Sequence, residues 1–322
     1  MHPTELFIRT HDYVERGEEA QLYAGLRAGR IESIRPGWHV ATTVLEQIRY
    51  EARIRLTAHA TYGASHGGDF VFSHQTAAAL HRIPLLTRRN EVRVHVTLLG
   101  AKRAQSTELV QRHRTAISEA DITLVDGLPV TTRERTVADI CCSDSLELGM
   151  VVADGAVHGD SWDTENRVLN EQESEAWRRR LRRLLASRPS TRGVKRTRWI
   201  IDNCDGRSES AGESLSRLRM LQLGWDAPDQ QIRIDTRGGR FYVDFDLEPF
   251  NAWGEFDGEG KYRDKRMRSP GKTLEDVLLD EKRREDLIRA ATHRRIIRWG
   301  WQEVRTLSAF RAFVRSLPRE NT

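Results

Sequence analysis

The sequence predicts a multidomain α/β protein, and three observations carry that reading. The last third runs in the order helix, three strands, helix, strand. Residues 1 to about 40 read as a pair of helices followed by a basic hairpin. A chain of 322 residues is long for one ordinary domain, so two or three are expected and core size is not limiting.

In the last third, residues 208–223 read as a helix, with Leu215, Leu218 and Leu221 or Leu223 on an apolar stripe and Gly224 as its stop. Residues 231–236 alternate as a strand up to a Gly238-Gly239 turn. In the next run Phe241, Val243, Phe245 and Leu247 share one face, and Tyr242, Asp244 and Asp246 the other. After a turn at Glu248-Pro249-Phe250-Asn251, Trp253, Glu255 and Asp257 share a face of the third strand. Residues 273–292 give a second helix, and 295–301 a buried strand.

This hairpin is expected to bring Asp244 towards Glu255. Carboxylates gathered on a half-buried surface repel one another and lose solvation. A divalent cation relieves both costs, and carboxylate oxygens suit Mg²⁺ or Mn²⁺. Aspartate is disfavoured in strands, so Asp244 and Asp246 stand out from their run. Glu213 allows two readings: support for a metal, or the far end of a capping box with Ser210. Lys261, Lys265 and Lys272 fall in a basic, Gly-rich stretch that reads as a solvated or DNA-facing lid. Glu281 to Glu285 also supplies ordinary helical charge pairs, Lys282 with Asp286 attracting and Glu281 with Glu285 opposing.

At the other end, Leu6-Phe7-Ile8 leads into a helix ending near Arg16-Gly17, and Gly17 suits a tight turn between helices. Residues 19–28 form the second helix, with Leu22 and Leu26 inward and Gly29 after it. Residues 30–40 alternate around a Pro36-Gly37 turn. A helix pair followed by a basic hairpin is the winged helix-turn-helix pattern, in which the second helix approaches the major groove and the hairpin lies on phosphates. Tyr23, Arg27, Arg30 and Arg35 are the candidate DNA contacts.

The middle region, 42–161, reads as α/β. Residues 73–81 give a helix with Ser73 at its cap, and 91–98 a strand with Val92, Val94 and Val96 inward. Thr131 and Glu134 suggest a capping box for a helix over 135–141, and 146–157 is a further helix. His66, His74, His81 and His95 fall on different elements and read as packed or capping side chains; a triad of Ser73, His74 and Asp139 has no support in spacing. Residues 162–207 are a basic connecting helix or linker. An acidic run ending at Glu175 precedes Arg178, Arg179, Arg180, Arg182 and Arg183, a pattern that fits either helix-dipole compensation with Leu181, Leu184 and Leu185 inward, or a phosphate-binding ridge led by Arg179 and Arg183.

Net charge is only +5, so clustering of charge matters more than its sum. The three cysteines, Cys141, Cys142 and Cys204, give neither zinc spacing nor a disulfide framework. No basic-then-apolar leader, membrane-spanning run, internal repeat or phosphate loop is found, and a cytoplasmic protein is expected.

The ordered set Ser208-Glu209-Ser210 with Glu213, Pro228, Gln230-Gln231, Val243-Asp244-Phe245, Glu255-Phe256-Asp257-Gly258, Lys261-Tyr262, Glu281 to Glu285 with Leu287, and Arg298-Trp299 resembles the PD-(D/E)XK nuclease superfamily. Within it, the set is most similar to small domains related to the very-short-patch-repair (Vsr) endonucleases. The resemblance covers about a third of the chain. It implies a restriction-endonuclease-like αβββαβ domain over 208–322, in which Glu213, Asp244 and Glu255 hold Mg²⁺ (or Mn²⁺). The usual lysine two residues after the second carboxylate is Asp257 here, which leaves Lys261 or Lys282 to take its part. The implied catalytic set is therefore Asp244, Glu255, Asp257 and Lys261.

A second resemblance spans 1 to about 160. Leu26 to Arg30, Ile34 to Val40, Phe72 to His81, Asp126 to Thr132 and Arg135 to Asp139 look like AbiEi-type antitoxins, whose N-terminal winged helix binds DNA. The expected organisation is thus a winged helix over 1–41, an AbiEi-like middle domain over 42–161, the connector over 162–207 and the nuclease-like domain. Two functions follow from the resemblances. One is a DNA-binding, metal-dependent endonuclease of bacterial defence or DNA repair. The other is a non-catalytic repressor and antitoxin of a type IV (AbiE-like) toxin–antitoxin system, partnered by a nucleotidyltransferase-like toxin.

Overall fold

The structure is a computed structural model that describes residues 3–65, 67–86, 92–100, 105–188, 192–258 and 274–318. It is a mixed α/β protein with several sheets and more than one domain. The chain divides into two compact units, one of residues 1–152 and 179–198, the other of residues 153–178 and 199–322. No described helix is long and apolar enough to cross a membrane.

The first unit opens with a short strand β1 (Ile8–Arg9), helix α1 (Thr10–Glu15), helix α2 (Glu19–Arg27) and the strands β2 (Ile31–Arg35) and β3 (Trp38–Ala41). These strands form a sheet in the order β1-β3-β2, antiparallel throughout. The left-handed backbone that glycine tolerates is used at Gly17 between the helices and at Gly37 in the hairpin, with φ of 67° and 78°. Helices α3 (Thr42–Gln47) and α4 (Tyr50–Ala64) follow, and Leu45 and Leu56 share a core with Val40, Ile34 and Phe7.

Next come β4 (Phe70–Phe72), α5 (His74–Leu80), β5 (Val94–Leu98), β6 (Val110–His113), β7 (Ile122–Val125) and β8 (Leu128–Thr131). They build a five-stranded sheet in the order β6-β5-β4-β8-β7, with β5–β6 and β4–β8 parallel. Phe72, Leu80, Val94, Val96 and Val130 make its core. Helix α6 (Arg133–Ser143) is capped by Thr132, whose side chain accepts from the Arg135 amide. This corrects the expected cap at Thr131, which is wholly buried and bonded instead to the Thr136 hydroxyl at 2.7 Å. Arg135 has no exposed surface: its Nε lies 2.8 Å from Asp139, one turn along the helix.

Three helices contribute residues to both units: α7 (Leu146–Ser161), α8 (Glu171–Ala186) and α9 (Val194–Asn203). The stretch expected as a connector also holds a two-stranded ribbon, β9 (Trp162–Asp163) with β10 (Val168–Leu169). Its helices are packed elements: Trp177, Leu181, Ile200 and Ile201 are fully buried.

The second unit then runs α10 (Ala211–Gln222), β11 (Gln230–Thr236), β12 (Gly239–Leu247), β13 (Ala252–Phe256), α11 (Leu274–Thr292), β14 (Arg295–Trp299), α12 (Trp301–Val304) and α13 (Leu307–Ser316). The sheet order is β11-β12-β13-β14, antiparallel except for the parallel pair β13–β14. On one face Ile234, Val243, Trp253 and Ile288 pack together. Helix α10 comes so close to β13 that a Cβ on Gly212 would overlap the Phe256 ring, which explains a glycine inside a helix at this point.

Candidate active site in the second unit

Ser210 caps α10, and Glu213 reaches back over the first turn. Glu213 Oε1 accepts from the Ser210 hydroxyl at 2.7 Å, while Oε2 accepts from the Glu209 amide at 2.9 Å and from Gln231 at 3.0 Å. Burial and the neighbouring charge of Asp244 raise the Glu213 carboxyl to about 8. Both of its oxygens are engaged in ordering the helix start, so of the two readings of Glu213 the capping one describes its contacts.

Strands β12 and β13 pair Phe245 with Gly254 and Asp246 with Trp253, which places Asp244 and Glu255 next along the hairpin. Both line a cavity of about 330 Å³, together with Asp257, Tyr242, Glu209 and Glu281, and with Arg167, Arg284 and Arg298. The carboxylate of Asp244 accepts from the Phe256 amide at 2.7 Å. Asp246 lies on the same strand face but is absorbed by an ion pair with Arg294, whose guanidinium also stacks 3.7 Å over Trp253. Asp257 has a buried Oδ1 without a hydrogen-bond partner among the described residues.

Glu255 is held by two arginines. Its Oε1 is 2.5 Å from Arg284 and its Oε2 3.1 Å from Arg298. The same guanidiniums reach Glu281, at 3.1 and 2.7 Å, and Arg298 reaches Glu285 at 2.9 Å. Burial opposes charge on Arg284 and Arg298, and these carboxylates more than offset it, so both guanidiniums are held more firmly protonated. The expected opposition of Glu281 and Glu285 is thus resolved by Arg298 lying between them. Arg167 lies 4.5 Å over the Tyr242 ring and pairs with Glu209 at 3.0 Å.

Among the described residues, the cations at this cavity are arginines. Lys261 lies outside the described residues, as do Lys265 and Lys272, and Lys282 is exposed on α11. Sequence reading missed Arg167, Arg284 and Arg298 as cavity residues. Arg284 and Arg298 stood inside quoted motifs, but nothing local marked them as partners of Glu255.

The donor set fits a Mg²⁺-class ion in part. Among the described residues, three His, Cys or carboxylate donors with ligand atoms within 4.8 Å of one another occur at His74, His95 and His113 and at His11, Asp12 and Glu15; Glu213, Asp244 and Glu255 form no such group. Mg²⁺ needs only one or two carboxylates when waters and a substrate phosphate complete its shell. Asp244 and Asp257 both line this cavity and are the carboxylates that could fill that part; Asp257 Oδ1 has no hydrogen-bond partner among the described residues.

In the first unit, Tyr23, Arg27 and Arg30 are exposed on and just after α2, whereas Arg35 is half-buried and burial lowers its pKa. On α8, Arg179 and Arg183 are exposed one turn apart. Other arginines of the basic run are tied into the fold: Arg178 to the Cys204 carbonyl at 2.8 Å, and Arg180 to Glu134 at 2.8 Å.

No family model matches the chain. It is 25% identical over 231 residues to two uncharacterized proteins of Mycobacterium tuberculosis, MT2308 of strain CDC 1551 / Oshkosh and Rv2248 of strain ATCC 25618 / H37Rv; the match covers 68% of this chain and 78% of each of those. A solved structure, that of the RV2827C protein of M. tuberculosis, aligns over 70% of this chain and 79% of its own, with 16% identity and a TM-score of 0.37, too distant to carry an argument.

Proposed function

We propose that the chain is a DNA-binding protein whose second unit carries a metal-dependent, endonuclease-like site for DNA phosphodiester hydrolysis, at work in bacterial defence or DNA repair. The observation that carries this reading is the convergence of Asp244, Glu255 and Asp257 on one cavity beside three arginines, with one Asp257 oxygen unmatched among the described residues. The element order and the mixed sheet support a PD-(D/E)XK, Vsr-like assignment for 208–322. The helix pair and hairpin, with Tyr23, Arg27 and Arg30 exposed, support a winged helix in an AbiEi-like first half.

Asp244 and Asp257 would hold Mg²⁺ or Mn²⁺, and the ion would supply a polarised phosphate and a bound water of lowered pKa. Glu255 takes a different part from that expected of it. It anchors Arg284 and Arg298 at the cavity wall, where their guanidiniums can face a phosphate and stabilise charge developing on it. Arg167, stacked on Tyr242, adds a third donor at the rim.

Purified protein on supercoiled plasmid, linear duplex and single strands, with Mg²⁺, Mn²⁺ or EDTA, tests this reading. Metal-dependent breaks that vanish in Asp244→Ala and Asp257→Ala are the expected result. No breaks under any condition, with DNA binding intact, sinks it.

One observation favours a second reading, in which the protein is a DNA-binding repressor and antitoxin with a nucleotidyltransferase-like toxin as partner. Both oxygens of Glu255 are already neutralised by arginine, so the acidic cluster has a structural role without any metal. A specific operator bound in EDTA, without strand breaks, is its expected result.

A further inference from the structure

The first unit holds a second group of donors, far from the acidic cavity in sequence and independent of it. Helix α5 and the parallel strands β5 and β6 bring together His74, His95 and His113, which the sequence leaves scattered; His113 was not singled out at all. His113 Nε2 and His95 Nδ1 are 3.1 Å apart, and the His74 and His113 rings stack with centroids 3.6 Å apart. One ring nitrogen from each of the three lies within 4.8 Å of the others.

We propose that His74, His95 and His113 bind one divalent transition ion of the Zn²⁺ class. Two nitrogens that share a tetrahedral ion at ~2.05 Å stand about 3.3 Å apart, close to the spacing already present between His113 and His95. An ion would take the place of the proton now shared between them. The third ring is fixed at one nitrogen: Ser73 Oγ bonds His74 Nδ1 at 3.0 Å, and Ser73 is itself held by the Thr97 hydroxyl at 2.9 Å, both residues wholly buried; because His74 lies flat on His113, one of these two rings must turn for both to reach one ion. Fixing one ring nitrogen through a buried hydroxyl is the outer-shell arrangement that orients a metal-binding imidazole. It also explains why Ser73, at the start of α5, makes no cap bond.

Two further features agree. The His74 backbone has φ of 51°, a cost that non-glycine residues meet mainly where the surroundings impose a geometry. His74 also forms part of the wall of a cavity of about 720 Å³ shared with Asp139, Cys142 and Arg196, which would be the ion's way in.

The test uses the full chain, freed of metal with a chelator and then titrated with Zn²⁺ against a chromophoric competitor. The expected result is one equivalent per chain, retained in Asp244→Ala and in His11→Ala, and weakened at least tenfold in His95→Ala and His113→Ala. Titration with Co²⁺ is expected to give the intense visible band of a four-coordinate ion, and zinc-edge absorption of the unaltered chain to show imidazole scattering. Failure to take up a stoichiometric ion, loss of binding in His11→Ala, or a bound zinc without imidazole ligands overturns the proposal. The last reading needs no variant, so a misfolded His95→Ala protein does not blunt the test.

Discussion

Asp257 departs from the motif that the sequence resembles, and its carboxylate bears on what the cavity does. If Asp244 and Asp257 share the ion, replacing either with alanine lowers metal-dependent cleavage by at least about 100-fold, on the order of 3 kcal/mol of transition-state stabilisation. Lys282→Ala leaves it unchanged, because that side chain is exposed. Rates measured on the three variants check this. Glu213 gives a prediction in pH. Its carboxyl is raised to about 8 from an unperturbed 4.5, so the folded state holds a proton that the unfolded state has lost between those values. Its contribution to stability is then complete below pH ~4.5 and is lost as pH rises through about 8. In metal-free buffer, Glu213→Gln flattens that decline, as denaturant titration across the window reads; an unchanged slope refutes the assignment. Cys204 is buried and pushed up to about 12, chiefly by burial and then by the Asp154 charge. It stays unreactive to a thiol reagent until the chain unfolds, whereas half-buried Cys142 reacts slowly in the native state.

At the scale of elements, period and punctuation made most of the second unit readable: alternation marked β12, and Gly224 and Gly238-Gly239 marked the ends of α10 and β11. Pairing across the chain was not readable. Arg284 and Arg298 meet Glu255 from 29 and 43 residues away, and composition shows charge without showing its partner. The histidine group failed for the same reason, since His113 approaches His95 through a parallel strand pair that no local pattern announces. The Thr131 cap missed by one residue because either threonine can precede the same helix; only the burial of Thr131 decides between them. Two packing predictions belong here. Gly212→Ala drives a methyl into the Phe256 ring and costs about 1–3 kcal/mol by overpacking. Asp154 on α7 and Arg217 on α10 form a buried ion pair at 2.6 Å, so Asp154→Ala removes the carboxylate that a buried guanidinium faces and costs about 3–5 kcal/mol. Chemical denaturation of both variants measures the losses.

Over the whole molecule, the sequence anticipated a mixed α/β chain of several sheets and more than one domain, and the structure has that character. A net charge of +5 says little about DNA, and two of the five arginines that look like a basic ridge, Arg178 and Arg180, are bonded within the fold. What remains on the surface decides the matter: Arg27 and Arg30 beside α2, and Arg179 and Arg183 on α8. If these face phosphates, each alanine substitution removes about one released counterion, and the slope of log affinity against log salt falls by ~0.9 per residue. Tyr23→Ala, lacking a charge, lowers affinity without changing the slope. Arg180→Ala serves as the internal control. Its guanidinium is occupied by Glu134, so losing it destabilises the helix packing but leaves the salt slope in place. Fluorescence anisotropy on one duplex across a salt series reads all six variants. Slopes that stay at the wild-type value in Arg27→Ala, Arg30→Ala, Arg179→Ala and Arg183→Ala would remove both basic surfaces from the DNA interface, and with them the DNA-binding premise that the nuclease and repressor readings share.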